Sequence, residues 1–308
     1  MGGLTYHPTL RTYSSICGIF SFDLVTCCLK HRRGKRRGID YELTYSPVVR
    51  WSSILLTLLV SIINDWKTVQ LDYVHTYPQA LIEKEVYMKI PAGTNIAEEA
   101  REDFVLKMIR NIYGQEQAGR VWNKCFHNIL LKLGFVQSQV DEYAYFRNGL
   151  IYLLYTDDLI LASRKKSEIR QVIEDIRRSG LKITVEGNVE DFLGVHIQRL
   201  EDSKIKMSQP QIARQICQDL GFQENTKAKQ IPAASSRILM RHQSSKEFDK
   251  SFNYRSVIGK LNYYEKCTRP DISYQTHQCA HFVESTKVEH GEAIRWIGRS
   301  YAVPEMTG

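Results

Sequence analysis

Tyr143-Ala-Tyr-Phe-Arg147, Asn148-Gly149 and Leu150-Ile-Tyr-Leu-Leu-Tyr155 run straight into Thr156-Asp157-Asp158 and Leu159-Ile-Leu-Ala162. The two apolar runs around Asn-Gly predict a hairpin, because both central residues of a type I′ turn need positive φ and Asn and Gly supply it most readily. A second bend follows, made of two carboxylates. Asp is a favoured turn residue, so a plain polar turn accounts for the pair taken alone. Asp72 changes the balance. It lies at the far end of another predicted strand, residues 67–73, which carries Val69 and Leu71. If the strands are neighbours in one sheet, Asp72 stands near the tip of the second hairpin. Three carboxylates at one place repel each other unless a cation joins them, and Mg²⁺ prefers carboxylate and phosphate oxygens. Two such ions about 4 Å apart can hold an attacking hydroxyl and a leaving phosphate.

Working outward, Ser46-Pro47 precedes Val48, Val49, Ile54, Leu55, Leu58, Leu59 and Ile62. That pattern predicts a helix with Ser at the N-cap and Pro at N1, ended by Asn64-Asp65. Residues 86–90 predict a strand stopped by Pro91 and Gly93. Residues 117–133 predict an amphipathic helix, with Ala118, Val121, Trp122, Cys125, Phe126, Ile129, Leu130 and Leu133 on its apolar face and Gly134 as its stop. Gln117, Arg120 and Lys124 recur on the other face and can point at one ligand together. Ser167 is placed to cap a helix through Ile169, Val172, Ile173 and Ile176 that stops at Gly180. Short strands follow at 181–185, 192–198 and 204–207. This order suits an α+β chain with a β-α-β-β-α-β sheet carrying helices on one face. Beyond Ser208, expected to cap residues 211–220, the chain reads as mostly helical. A polar loop spans about 233–249, and helices are expected at 254–267 and 271–282, the second opened by Thr268-Arg269-Pro270.

The chain has 308 residues, which suggests about two domains or one large multi-part domain. Hydrophobic residues make up 43% and charged residues 25%, enough for a real core and against disordered or collagen-like classes. The net charge of +8 favours a polyanionic partner such as nucleic acid. Seven Cys without CxxC spacing argue against a disulfide framework and for a reducing compartment. The longest apolar runs, 16–29 and 54–63, are interrupted and short of the roughly 20 residues of a membrane span. The first also lacks the basic n-region of a signal peptide. Residues 30–37 form the densest basic block and read equally as a solvated turn or a nucleic-acid contact. His277 and His281, with Cys279 and His290 near, raise the question of zinc. Cys279 faces elsewhere on the predicted helix and no HExxH glutamate is present, so ordinary helix-face histidines are expected.

Tyr155-Thr-Asp-Asp158 resembles the Tyr-x-Asp-Asp box of reverse transcriptases, and the flanking text is similar to the copia-type LTR retrotransposon polymerases. Gly38-Ile-Asp-Tyr-Glu-Leu-Thr-Tyr-Ser-Pro-Val-Val-Arg50 is similar to that family's opening segment. Gln70-Leu-Asp-Tyr73, with Tyr77-Pro-Gln and Glu85-Val-Tyr-Met88, resembles its first carboxylate motif. Ile112-Tyr-Gly-Gln-Glu-Gln-Ala-Gly-Arg-Val-Trp122 resembles its Tyr-Gly box. Phe192-Leu-Gly194, Met207-Ser-Gln209, Tyr254-Arg-Ser-Val-Ile-Gly-Lys-Leu261 and Thr268-Arg-Pro-Asp-Ile272 continue in the family's order. The likeness covers about residues 38–298, and the boxes in order are far more specific than any one of them.

The resemblance implies an RNA-directed DNA polymerase domain of a Pol polyprotein, folded as a right hand. Residues 38–63 and 80–121 would be fingers, 64–79 and 122–207 palm, and 208–308 a mostly helical thumb or connection, with 1–37 unmatched. It implies Asp72, Asp157 and Asp158 as the catalytic triad holding two Mg²⁺ ions, with Mn²⁺ as a possible substitute. The Tyr73 carbonyl would join the metal shell. Tyr77 would exclude a ribose 2′-OH, Gln117 and Arg120 would touch the incoming nucleotide, and Phe192, Leu193 and Gly194 would form the primer grip. Taken alone, Tyr77 reads as core, Gln117 and Arg120 as a solvated face, and Phe192-Leu-Gly as a strand with a bulge. Implied partners are an RNA or DNA template with primer and deoxynucleoside triphosphates, with RNase H and integrase portions in the parent polyprotein. The implied location is intracellular, in the cytoplasm or a retroelement particle, with no signal peptide or transmembrane helix.

Four departures stand out. The family's basic Lys-Ala-Arg-Leu-like finger strand is not found before Gly38, although Lys35, Arg36 and Arg37 lie in about its place. Glu116 stands where the family carries a lysine, and Thr156 where Val is common. The similarity fades after Trp296-Ile-Gly-Arg299 and no RNase H, protease or integrase portion follows. The alternative expectation is therefore a degenerate, weak or inactive relic that still binds nucleic acid. A metal phosphohydrolase would also use the triad, but it leaves the Tyr-Gly and Thr-Arg-Pro-Asp boxes without a role.

Overall fold

The computed structural model describes residues 11–13, 43–84, 86–89, 104–201, 204–223, 225–233, 239–240 and 246–307. The basic block at 30–37, the apolar run at 16–29, the start of the opening segment at 38–42, Glu85 and the strand stop at 90–93 lie outside them. So does part of the 233–249 loop. The chain is a mixed helix-and-sheet, α+β structure that divides into two units, residues 1–188 and 189–308.

The first unit contains β1 (Arg11–Tyr13), α1 (Trp51–Ile63), β2 (Lys67–Tyr73), the one-turn α2 (Thr76–Gln79), β3 (Tyr87–Lys89), β4 (Phe104–Lys107) and α3 (Ala118–Lys132). It continues with β5 (Val136–Gln137), β6 (Ala144–Arg147), β7 (Leu150–Tyr155), β8 (Asp158–Ser163), α4 (Lys166–Arg178) and β9 (Ile183–Gly187). The Asn148-Gly149 bend has φ of 49° and 81°, the pair of positive values a type I′ turn requires, and sets Arg147 opposite Leu150. β7 then bends through Thr156-Asp157 into β8, with Tyr155 opposite Asp158. β8 lies antiparallel to β2, which pairs with β9 on its other side. The six strands run β5-β6-β7-β8-β2-β9. A smaller sheet runs β1-β4-β3.

The large sheet is held by burial. Leu159, Ile160, Leu161 and Ala162 of β8 are all buried, so this central strand is covered on both faces and shows no alternation. α3 lays Trp122, Phe126 and Leu130 inward. Trp122 meets Tyr73 edge-on at 5.0 Å, and Phe126 meets Tyr143 at 5.5 Å and Tyr145 at 6.0 Å. Such offset and edge contacts suit the ring quadrupoles and add to the area buried. α4 adds Ile169, Val172, Ile173 and Ile176, the residues its sequence spacing marks as its inner face.

Several helix starts differ from expectation. α1 begins at Trp51 with Arg50 as N-cap, not at Ser46-Pro47. The Ser46 hydroxyl is engaged with the Tyr143 hydroxyl at 3.0 Å. The orphan groups at the helix start are met from a distance: Asp141 Oδ2 accepts from the Arg50 N–H at 2.9 Å and from Ser53 Oγ at 2.6 Å. α4 begins at Lys166, so Ser167 lies inside it and caps nothing. The predicted strand at 181–185 is shifted to Ile183–Gly187.

The second unit opens with β10 (Asp191–Phe192), β11 (Val195–Leu200) and β12 (Lys204–Ser208) in an antiparallel sheet. A single strand over 192–198 is therefore corrected: Leu193 and Gly194, at φ of 51° and 73°, form a two-residue turn that sets Phe192 opposite Val195. α5 (Pro210–Asp219), α6 (Tyr254–Cys267), a 3₁₀ turn (Pro270–Ile272), α7 (Ser273–Ala280) and α8 (Val288–Thr307) follow. Ser208 ends β12 and Gln209 is the N-cap of α5, because Pro210 occupies the first helical position. The helix expected over 271–282 begins as the 3₁₀ turn and stops at Ala280. The core joins Ala213, Ile216, Val257, Leu261, Ile294 and Ile297. His277 pairs with Glu265 at 3.3 Å and Cys279 is buried. Among the described residues no helix is long and apolar enough to cross a membrane.

Candidate active site

The register of β2 and β8 puts Asp72 directly opposite Asp158. The Tyr73 N–H donates to the Asp157 carbonyl at 2.9 Å, tying the end of β2 to the hairpin tip. The three carboxylates expected to meet are thus gathered at one end of the large sheet. Their electrostatics agree with crowding. Burial, then the charges of Asp72, Glu186 and Asp157, push the Asp158 carboxyl up to about 6. Burial, then Asp157 and Glu186, also raise Asp72, against a smaller lowering by His75.

Glu186 is a fourth carboxylate that the sequence does not single out. The β2–β9 pairing steps from Gln70–Gly187 to Leu71–Val185, so Glu186 is the extra residue of a bulge. A bulge re-aims its side chain, and this one reaches the electrostatic field of Asp72 and Asp158. The buried Gln70 amide holds it, donating to Glu186 Oε2 at 2.5 Å. The only sequence signal is an acid four residues after Lys182 in a weak strand, and it gives no hint of the bulge.

Asp157 is turned to Tyr113, whose hydroxyl donates to Oδ2 at 3.1 Å. Its Oδ1 is shielded from solvent and has no hydrogen-bond partner. Burial, then the Asp157 charge, push the Tyr113 hydroxyl up to about 12, so it stays a donor. Among the described residues no three His, Cys, Asp or Glu side chains are closed around a common point. The donor set is nonetheless one of hard oxygens under mutual repulsion, with one shielded carboxylate oxygen lacking a partner. Oxygens of this kind are the ligands that a hard divalent cation takes.

The remaining candidates divide. The Tyr73 side chain is core, its hydroxyl paired with that of Tyr152 at 2.9 Å, while its carbonyl accepts from Thr76 Oγ1 at 3.1 Å. Tyr77 lies against Tyr113, ring centroids 4.6 Å apart. Its hydroxyl lies 3.9 Å from where a Cβ on Gly119 would stand, which places it beside the first turn of α3. Gln117 is the α3 N-cap residue, 9% exposed, and its Oε1 has no partner. Arg120 and Lys124 do share a focus, but it is Glu83: Arg120 Nη2 lies 2.7 Å from Oε2 and Lys124 Nζ 2.9 Å from Oε1. The predicted convergence of Gln117, Arg120 and Lys124 therefore holds for the two cations only. Phe192 is buried in the second unit, and the carbonyl of Leu193 accepts from the Tyr263 hydroxyl.

The family described as reverse transcriptase (RNA-dependent DNA polymerase) matches residues 27–235. The chain is 29% identical over 276 residues to the retrovirus-related Pol polyprotein from transposon TNT 1-94 of Nicotiana tabacum, covering 86% of this chain and 20% of that protein. The corresponding polyproteins from transposons RE1 and RE2 of Arabidopsis thaliana are 29% and 28% identical, each over 87% of this chain and 18% of their own length. The chain thus spans about a fifth of the length of these relatives. A match over more than half of the chain, with the carboxylates gathered at one sheet end, settles the family: the chain belongs to the reverse transcriptases (RNA-dependent DNA polymerases), of the kind found in copia-type retrotransposon Pol polyproteins.

Proposed function

We propose that this chain carries the polymerase site of a reverse transcriptase, extending a primer 3′-OH with deoxynucleotides on an RNA or DNA template. The observation that carries the reading is the pairing of Asp72 with Asp158 across β2 and β8, with Asp157 at the adjoining tip. In this reading Asp72, Asp157 and Asp158 hold two Mg²⁺ ions, or Mn²⁺ in their place, and the Tyr73 carbonyl adds a further oxygen. When bound, such ions activate the primer hydroxyl and neutralise the charge that develops on the leaving pyrophosphate. Asp158 and Asp72 are both raised by burial and by mutual repulsion, a crowding that a cation held among them would relieve. Tyr77 lies under the incoming sugar, and Gln117 and Arg120 position the nucleotide. The Phe192-Leu193-Gly194 turn steadies the primer. The protein contributes placement and fixed charge, which supply most of the rate enhancement in phosphoryl transfer.

Residues 38–63 and 80–121 are assigned to fingers, 64–79 and 122–207 to palm, and 208–308 to thumb or connection. The chain is placed within a longer intracellular polyprotein that also carries RNase H and integrase portions. The test is primer extension on an RNA template with Mg²⁺. Extension that Asp157→Asn abolishes is the expected result. Extension that survives Asp157→Asn at the wild-type rate would overturn the assignment.

A further inference from the structure

Glu83 has no signal in the sequence, yet it sits at the junction of the two cations on the outer face of α3. Each of its oxygens takes one of them, Oε2 facing Arg120 and Oε1 facing Lys124. Two acceptor oxygens on one central atom, spanning a guanidinium and an ammonium, reproduce what two non-bridging oxygens of a phosphate present. The segment bearing Glu83 is anchored just upstream, where Arg110 Nη1 donates to the carbonyls of Pro78 and Gln79 at 3.2 and 3.0 Å.

The cations are only partly used. Of the five donors of a guanidinium, Arg120 Nε is shielded from solvent and has no hydrogen-bond partner. A buried donor left without a partner points to a missing acceptor, from a ligand or a water. The Glu83 carboxylate itself is about one-third exposed and Lys124 well exposed, so the pairing is wetted and exchanges readily.

We propose that Glu83 is a displaceable internal anion, which occupies the Arg120–Lys124 pair in the free protein and gives way to an oxyanion of the nucleotide's phosphate chain. The proposal rests on the assignment of Arg120 to nucleotide binding. It makes Glu83 a residue that sets affinity by competition, where a purely structural ion pair would only hold the segment after α2 against α3.

The test uses the full chain and inorganic triphosphate, titrated calorimetrically at low salt without primer or template. Glu83→Gln keeps the size of the side chain and removes its charge. It should bind triphosphate about fivefold more tightly, the upper end of what an exposed ion pair is worth. Arg120→Ala should bind more weakly, and the gain from Glu83→Gln should shrink in the double variant, where Lys124 alone is freed. Glu83→Gln binding as wild type or more weakly, while Arg120→Ala weakens binding, overturns the competition and leaves the nucleotide assignment standing. Unchanged binding by Arg120→Ala overturns both. Thermal melting identifies variants that do not fold. Glu83→Asp then substitutes for Glu83→Gln, since it keeps the charge but is too short to span both cations. It should bind more tightly than wild type, and equal or weaker binding counts against the proposal.

Discussion

Asp158 sits among other carboxylates, and the sign of its shift has a measurable consequence. Its carboxyl is pushed up to about 6 from the ordinary 3.8, mainly by burial and then by Asp72. The unfolded chain therefore ionises this group more readily, so its ionisation favours unfolding. Below about pH 4 both states are protonated and nothing is lost; the penalty grows as pH rises to about 6 and then stays constant. Asp158→Asn should stabilise the protein at pH 7 by about 1–2 kcal/mol, allowing for solvent screening of a half-exposed group. Melting curves at pH 7 and pH 3.5 check this, and a gain of equal size at both would sink the explanation. Thr156, at φ 57°, is a β-branched residue in the left-handed region. Thr156→Asn should raise stability by about 0.5–1 kcal/mol in a urea melt, since Asn tolerates that conformation. If Tyr77 lies under the sugar, Tyr77→Ala should admit ribonucleotides in single-nucleotide incorporation, and unchanged discrimination would mark the ring as packing alone. Much of the triad is legible in the sequence because Asp72 lies at the end of one apolar strand, Asp158 opens another, and Asp157 sits in the turn before it. Glu186, Tyr113 and Glu83 are not, because a bulge, a loop and a surface turn bring them in, and none of these leaves a period in the sequence.

At the level of elements, legibility follows the range of the interaction that fixes each boundary. The spacing predicts α3 over 117–133 and the helix runs Ala118–Lys132, because its apolar pattern and Gly134 act within the helix itself. The Asn148-Gly149 hairpin is equally plain, since the turn chemistry is local. The start of α1 is hidden because its cap comes from Asp141, 91 residues from Arg50 in sequence. Ser46-Pro47 offers a locally better cap, and tertiary structure uses the Ser46 hydroxyl for Tyr143 instead. The two residues should therefore respond differently to truncation. Asp141 is buried and satisfies the Arg50 N–H, Ser53 Oγ and the Tyr143 N–H. Asp141→Ala should cost about 2–4 kcal/mol, the range for losing charge-assisted bonds and stranding their donors. Ser46→Ala should cost no more than about 1 kcal/mol, one neutral hydrogen bond. Chemical denaturation of the two variants decides it; a larger loss for Ser46→Ala would restore Ser46 as the cap.

On the scale of the whole molecule, the α+β class is legible from the order of strand and helix patterns, while the partition into units is not. Residues 192–198 read as one more strand of the same series, yet a two-residue turn at Leu193-Gly194 sets β10 against β11 in a separate sheet there. What does belong to the whole chain is its charge. A surplus of +8 on 308 residues acts on a polyanion wherever it docks, without regard to base sequence. A polymerase that must travel along its template needs that property. Binding of a fluorescent primer–template, followed by anisotropy from 50 to 200 mM salt, should therefore weaken linearly on a log–log plot. Each neutralised phosphate should contribute a slope of about −0.9 on duplex and about −0.7 on single strand, through release of condensed counterions. Scrambling the base sequence should leave affinity and slope in place. Asp157→Asn should leave the slope unchanged as well, because Asp157 is held by Tyr113 at the hairpin tip and supplies no cation to a phosphate. The same variant is expected to abolish extension. Loss of extension with an intact slope separates ion-holding chemistry from template binding on one molecule. A flat salt dependence would remove the electrostatic account of binding, and a slope that Asp157→Asn alters by a whole phosphate would place Asp157 in the nucleic-acid interface instead.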